Sequence, residues 1–167
     1  MTPGSSDYAT LDAWAGSLGN DDIIATAEQG RALVIALCRT FDDQLDAVQR
    51  RCLAVAGRFG DQCTAEELAD WTVVKHRIGE ETPRLISETR LPSVVHLPPD
   101  QARNRLVFAA CVAQAGPVDW QLIEYLSLWA EDAEIPIEQC LDIFRDHIPR
   151  FDQAISNARA SFGSMAT

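Results

Sequence analysis

Between Ile24 and Phe59 apolar residues recur at steps of three and four: Ile24, Ala27, Val34, Cys38, Phe41, Leu45, Val48, Cys52, Val55 and Phe59, with Arg31 standing where one more is due. That spacing is the seam of a helix lying along other helices. Inside it, Ala32 to Cys38 reads Ala-Leu-Val-Ile-Ala-Leu-Cys, apolar all the way round, so neighbours must cover it on more than one side. A second seam, Ile137, Leu141, Phe144, Ile148, Phe151, Ile155, Ala158 and Phe162, closes the chain. The two seams are expected to pack together at the centre of a bundle.

A single helix from Asp22 to Arg58 would measure roughly 55 Å at 1.5 Å per residue. A compact chain of this size is only about 40 Å across. The sequence therefore predicts a break, and Gln29-Gly30-Arg31 is the expected place, because glycine costs a helix about 1 kcal/mol relative to alanine. Pro149 is expected to bend the second long helix by removing the hydrogen bond to the carbonyl of Arg145.

Shorter elements surround this pair. Asp7 to Leu18 reads as a helix with Leu11, Trp14, Ala15 and Leu18 on one side, stopped by Gly19, with Asn20, Asp21 or Asp22 available to cap the next. Gly57 and Gly60 end the first seam, and Thr64-Ala-Glu-Glu67 is a capping box that opens a helix burying Leu68, Trp71, Val74 and Ile78. Gly79 is expected to end it, with Thr82-Pro83 starting another. Leu91 to Pro99 carries three prolines and reads as a linker. A helix from Pro99 or Asp100 to Ala115 offers Leu106, Ala109, Ala110 and Ala113 for close contact; after Gly116-Pro117, Val118 to Ala133 places Val118, Leu122, Tyr125, Leu126 and Trp129 on one face.

No alternating strand pattern and no internal repeat appears, so the expected fold is all-α. We read one domain over residues 1–167, a helical bundle of about six or seven helices with 31–58 and 136–162 as its two long central helices. Residues 1–6 are a frayed end and 91–99 an internal linker. With 47% hydrophobic residues, 167 residues suffice for one core and are short for two.

The net charge of −11, from 25 acidic and 14 basic residues, disfavours direct binding of nucleic acid or anionic lipid and makes basic proteins the natural partners. The five cysteines form no CxxC pair, and most sit in apolar helical runs, which points to a reducing, cytoplasmic setting. No apolar run approaches the roughly 20 residues of a membrane span, and the first residues lack the features of a secretion signal.

Candidate chemistry is sparse. His76, His96 and His147 form no HxxxH, HExxH or ExxH pattern, and Cys140 with His147, about 10 Å apart along a helix, cannot hold a metal without a third element. No metal or other cofactor is expected. Cys63 precedes a helix start, where amide N–H groups can stabilise a thiolate, but no histidine lies near it to activate it. Glycine-rich phosphate loops are absent. Thr64 to Ile78 has a helix-turn-helix flavour without the turn glycine, and the overall charge opposes DNA.

The surface feature that stands out is acidic. From Asp119 to Asp146 there are eight carboxylates and one cation, Arg145. Glu134, Glu138, Asp142 and Asp146 recur every fourth residue and form a ridge once helical, with the Ile135-Pro136 boundary able to displace Glu134. Glu131 and Asp132 extend it, and Trp120 is a candidate anchor for a partner. The ridge reads either as a solvated face relieved by Arg39, Arg50, Arg51 and Arg58, or as a docking strip for a basic surface, including that of a nucleic-acid-handling protein. The functional expectation is a non-enzymatic regulator, adaptor or inhibitor. Two alternatives are a small helical enzyme or ligand-binding bundle with a pocket near Pro149, using His147, Cys140 and Asp146, and a self-associating structural protein such as a homodimer.

Overall fold

The computed structural model describes residues 4–18, 22–56, 63–89, 96–112 and 118–165, with side chains at all of these except 4–7, 79–89, 112, 158–159 and 161–165. They form eight α-helices: α1 (Gly4–Ser17), α2 (Ala27–Arg39), α3 (Ala47–Val55), α4 (Ala65–Thr89), α5 (Pro99–Val112), α6 (Trp120–Asp132), α7 (Ile137–His147) and α8 (Phe151–Met165). Among the described residues there is no strand. The one β-type pairing there is an isolated antiparallel bridge between Ala25 and Val118, in which Val118 N–H donates to the Ala25 carbonyl at 2.8 Å and Ile24 N–H to the Val118 carbonyl at 3.0 Å. The all-α expectation holds, and the helix number exceeds it because both long seams are divided.

The first seam does not break at Gly30. Its helix begins later than Asn20, Asp21 or Asp22 would cap it: Thr26 is the N-cap, accepting from Gln29 N–H while the Gln29 side chain accepts from Thr26 N–H. Gly30 lies buried within the first turn, its N–H bonded to the Thr26 carbonyl at 2.9 Å. The break falls at residues 40–46 instead. The Thr40 hydroxyl donates to the Leu37 carbonyl at 2.7 Å, a 3-10 turn spans Asp42–Gln44, and Asp46 opens α3 through a second capping box with Gln49. Two reciprocal pairs of cap hydrogen bonds thus fix helix starts that the apolar spacing runs straight across.

The second seam ends its first helix at His147. Pro149 does more than bend an axis, because Arg150 takes φ 60 and α8 starts at Phe151. Elsewhere α4 runs unbroken past Gly79 and Thr82-Pro83, so the two helices expected there are one. Its capping box is present, with Thr64 N–H on Glu67 Oε2 at 2.9 Å and Glu67 N–H on Thr64 Oγ1 at 3.2 Å. Among its described side chains Val74 is the fully buried one, while Trp71 and Ile78 are half-buried and Leu68 is exposed. Residues 57–62, 90–95 and 113–117, which include Gly57, Gly60, most of the proline-rich stretch, Ala113 and Gly116-Pro117, lie outside the described residues.

Packing sets α5 at the hub, against α2, α3, α4 and α6. Ala102, Leu106, Val107 and Ala110 are fully buried on it, and their small average size lets several backbones approach. α1 packs on α6 and α8, α2 also meets α7, and α3 packs on α4 and α5. The first halves of the two seams therefore meet, while α3 and α8 turn mainly to other neighbours. On α6 the buried face is Ile123, Leu126, Ser127 and Ala130. Val118 belongs to the bridge, and Tyr125 is exposed, stacked on Trp129 with ring centroids 5.4 Å apart.

Candidate functional site

α7 separates its residues cleanly. Ile137, Cys140 and Phe144 are buried, and Glu138, Asp142 and Asp146 are exposed on the opposite side. Glu134 stands apart from that row, because α6 ends there in a Schellman motif: Glu134 N–H donates to the Glu131 carbonyl at 3.0 Å and Ile135 N–H to the Ala130 carbonyl at 3.1 Å. Glu134 occupies the left-handed position at φ 64, and the following Ile135 is buried. Both Glu131 and Glu134 are exposed.

Two of the residues expected at the strip, Asp132 and Trp120, do other work or sit differently, and so does Asp119 in the same acidic run. The Asp132 carboxylate is only 6% exposed; it accepts from Leu97 N–H at 2.8 Å and lies 2.8 Å from His96 Nδ1, so it pins the start of α5 to the end of α6. Asp119 caps α6 by accepting from Leu122 N–H at 3.0 Å. Trp120, in the first turn, is half-buried. What remains exposed from residue 124 to 152 is Glu124, Glu131, Glu134, Glu138, Asp142, Asp146 and Asp152, with Arg145 and Arg150 as the exposed cations. Arg145 bridges Asp142 at 2.6 Å and Asp152 at 2.7 Å across the α7–α8 break. The arginines expected to relieve the strip are engaged elsewhere: Arg39 with Asp42, Arg50 on the Asp42 carbonyl, and Arg51 with Asp70. Arg58 lies outside the described residues.

A polar cleft of about 280 Å³ opens where α3, α4 and α5 meet, lined by Gln44, Asp46, Gln49, Arg77, Asp100, Arg103 and Asn104. Its floor is a hydrogen-bonded chain. Arg77 donates to Asp46 at 2.8 Å, Gln49 Nε2 to Asn104 Oδ1 at 3.2 Å, and Asn104 Nδ2 to the Val74 carbonyl at 3.2 Å. Gln49 and Asn104 are buried, and their amides are satisfied by one another and by backbone, as low dielectric demands. The sequence reading missed this cluster. Its one visible signal is Asp46-x-x-Gln49, a capping-box spacing inside an otherwise continuous seam.

A second groove of about 490 Å³ runs between α3 and α4, lined by Arg51, Ala54, Val55, Glu66, Glu67, Ala69 and Asp70. Arg51 and Asp70 form a two-pronged pair there at 2.8 and 2.9 Å, and this contact holds the Asp70 carboxyl below its usual range.

The three residues proposed for a pocket near Pro149 do not converge. His147 Nδ1 bonds its own helix at the Ile143 carbonyl, 2.8 Å away. Cys140 is fully buried, and burial pushes its thiol up to about 12 against the opposing effect of the neighbouring Tyr8 side chain, while Asp146 faces solvent. Tyr8 itself donates to the Ile135 carbonyl at 2.7 Å, and burial raises its ionisation well above that of a free phenol. Thr64 to Ile78 is one uninterrupted helix, which removes the two-helix arrangement DNA reading needs. Cys63 is half-buried. Among the described residues no three His, Cys, Asp or Glu side chains are grouped to hold a metal ion, and no helix is long and apolar enough to cross a membrane.

Compared with protein-family models, curated proteins and solved structures, the chain matches none.

Proposed function

We propose that this protein is a non-enzymatic binding protein whose working surface is the acidic side of α7 with the turn before it, and that its partner presents a basic face. Glu131, Glu134, Glu138, Asp142 and Asp146 form the docking strip. The observation that carries this reading is Glu134. The Schellman position it fills favours glycine, and an L-residue there costs roughly 1 kcal/mol or more. A side chain kept at a strained and exposed position supports a role for the side chain itself. Among the described residues the strip is also short of compensating cations, since Arg145 is shared between two carboxylates and Arg39, Arg50 and Arg51 are engaged elsewhere.

The test combines two variants. Glu138→Gln/Asp142→Asn/Asp146→Asn should abolish salt-sensitive capture of a basic partner from native lysate. Stability should stay within about 0.5 kcal/mol, because the lost surface pair of Asp142 with Arg145 is worth about 0.2–1 kcal/mol and relief of like charges returns a few tenths per pair. Glu134→Gly should raise stability by roughly 1 kcal/mol while weakening the same capture. Undiminished capture by both variants would remove the strip from consideration.

A further inference from the structure

The last turn of α3 and the last turn of α5 bring two sulfurs together. Cys52 and Cys111 are 1% and 2% exposed, and Cys111 Sγ lies 3.6 Å from the carbonyl oxygen of Cys52. The two side chains are close enough that each displaces the ionisation of the other. We propose that Cys52 and Cys111 form a two-electron redox site, a dithiol that a small organic disulfide converts into an intramolecular disulfide bond tying α3 to α5.

Several features support this assignment. α3 and α5 are packed neighbours, Cys111 Sγ already touches the backbone of residue 52, and closing the bond brings the sulfurs to about 2.05 Å. Polarity is built into the pair. The neighbouring Cys111 side chain lowers the Cys52 thiol, while the Cys52 side chain and burial raise the Cys111 thiol. Cys52 is thus the attacking sulfur and Cys111 the resolving one. The α3–α4 groove reaches Arg51, Ala54 and Val55 in the turn that carries Cys52; neither sulfur lines it, so the oxidant reaches Cys52 only when that turn opens.

The chemistry balances with the disulfide RS–SR as oxidant. Cys52 gives up its proton, and its thiolate attacks one sulfur of RS–SR; the S–S bond breaks and RS⁻ leaves, taking up a proton. Cys111 then loses its proton and attacks Cys52 Sγ, expelling the second RS⁻, which is protonated in turn. Two thiols are oxidised to one disulfide, and RS–SR is reduced to two RSH.

The experiment uses the whole chain, natively folded, incubated with oxidised glutathione, alkylated and digested with trypsin. The expected product is residues 52–58 joined to residues 106–145, with the free-thiol count down by two. Fragmentation of the joined pair must place the bond on Cys111, since residues 106–145 also contain Cys140. Cys140→Ala should keep the link and Cys111→Ala should lose it. A bond mapped to Cys63 or Cys140, a glutathione adduct that stays on Cys52 without closing, or thiols untouched under conditions that oxidise the unfolded chain would each overturn the assignment.

Discussion

Replacing Gly30 by alanine pits two effects of similar size against each other, and the structure decides the sign. In an exposed helix the change should stabilise by about 1 kcal/mol through propensity alone. Here a Cβ on residue 30 would lie 2.5 Å from Val118 Cγ2, against roughly 3.5–4.0 Å for an unstrained carbon contact. Val118 is 1% exposed and its backbone is held by the two hydrogen bonds of the bridge, while its branched side chain has little rotamer freedom. Overpacking of this kind costs about 1–3 kcal/mol, so Gly30→Ala should be net destabilising by about 1 kcal/mol. At this chain length that is a fall of roughly 2–4 °C in Tm. Val118→Ala alone should cost about 2 kcal/mol for the lost methyl groups and cavity. It also deletes the clashing atom, so the double variant should be more stable than the sum of the single effects by at least about 1 kcal/mol. Urea unfolding of the four proteins closes the cycle. Stabilisation by Gly30→Ala, or additive effects within about 0.3 kcal/mol, would refute the steric account.

The contact of His96 with Asp132 makes a pH prediction. Hydrogen bonding to Asp132 and its charge, with a smaller push from Glu131, raise the His96 pKa above the unfolded value of about 6.5. Its contribution is therefore fully present below that value and is lost as pH rises through the folded pKa. Because the imidazole is largely exposed, the gain is at most about 1 kcal/mol. Wild type should exceed His96→Gln in stability at about one unit below pH 6.5 and match it about two units above; a constant difference across that range would contradict the pairing. Asn104→Ala removes the acceptor of Gln49 and the donor to the Val74 carbonyl in a buried setting, and should cost about 2–3 kcal/mol; a loss below about 0.5 kcal/mol by chemical denaturation would mean that water replaces the network.

Most of the fold class was legible because apolar periodicity reports burial. Leu11, Cys38, Phe144 and Ile155 lie in the core where their spacing puts them. Periodicity does not report chain direction. Phe41 and Leu45 keep the step of the seam across the 3-10 turn, and both are buried, so the stripe continues while the helix does not. Local polar signals could have corrected this: Thr26-x-x-Gln29 and Asp46-x-x-Gln49 have the same capping logic as Thr64-x-x-Glu67, which was read correctly. Gly30 misled because glycine costs a helix little compared with what close contact with Val118 requires. At the acidic strip, the exposure of Glu138, Asp142 and Asp146 followed from spacing, whereas Asp132 was unreadable because its partners, His96 and the Leu97 amide, are about 35 residues away. The cleft floor and the Cys52–Cys111 contact depend in the same way on pairings between helices far apart in the chain.

The hydrogen bond from Tyr8 to the Ile135 carbonyl, and the edge-on packing of Trp14 against Phe151 at 5.3 Å, impose a timetable on the newborn chain. Helix α1 finds its seat in α6 and α8, far along the chain. At about 5–20 residues per second of synthesis, Trp14 waits roughly 7–30 s for Phe151 to be added. Until α6 and α8 have been made, α1 lacks the helices it packs on. α6 and α8 must therefore both be synthesised before this bundle can close, and until then α1 depends on whatever else in the cell can shield it.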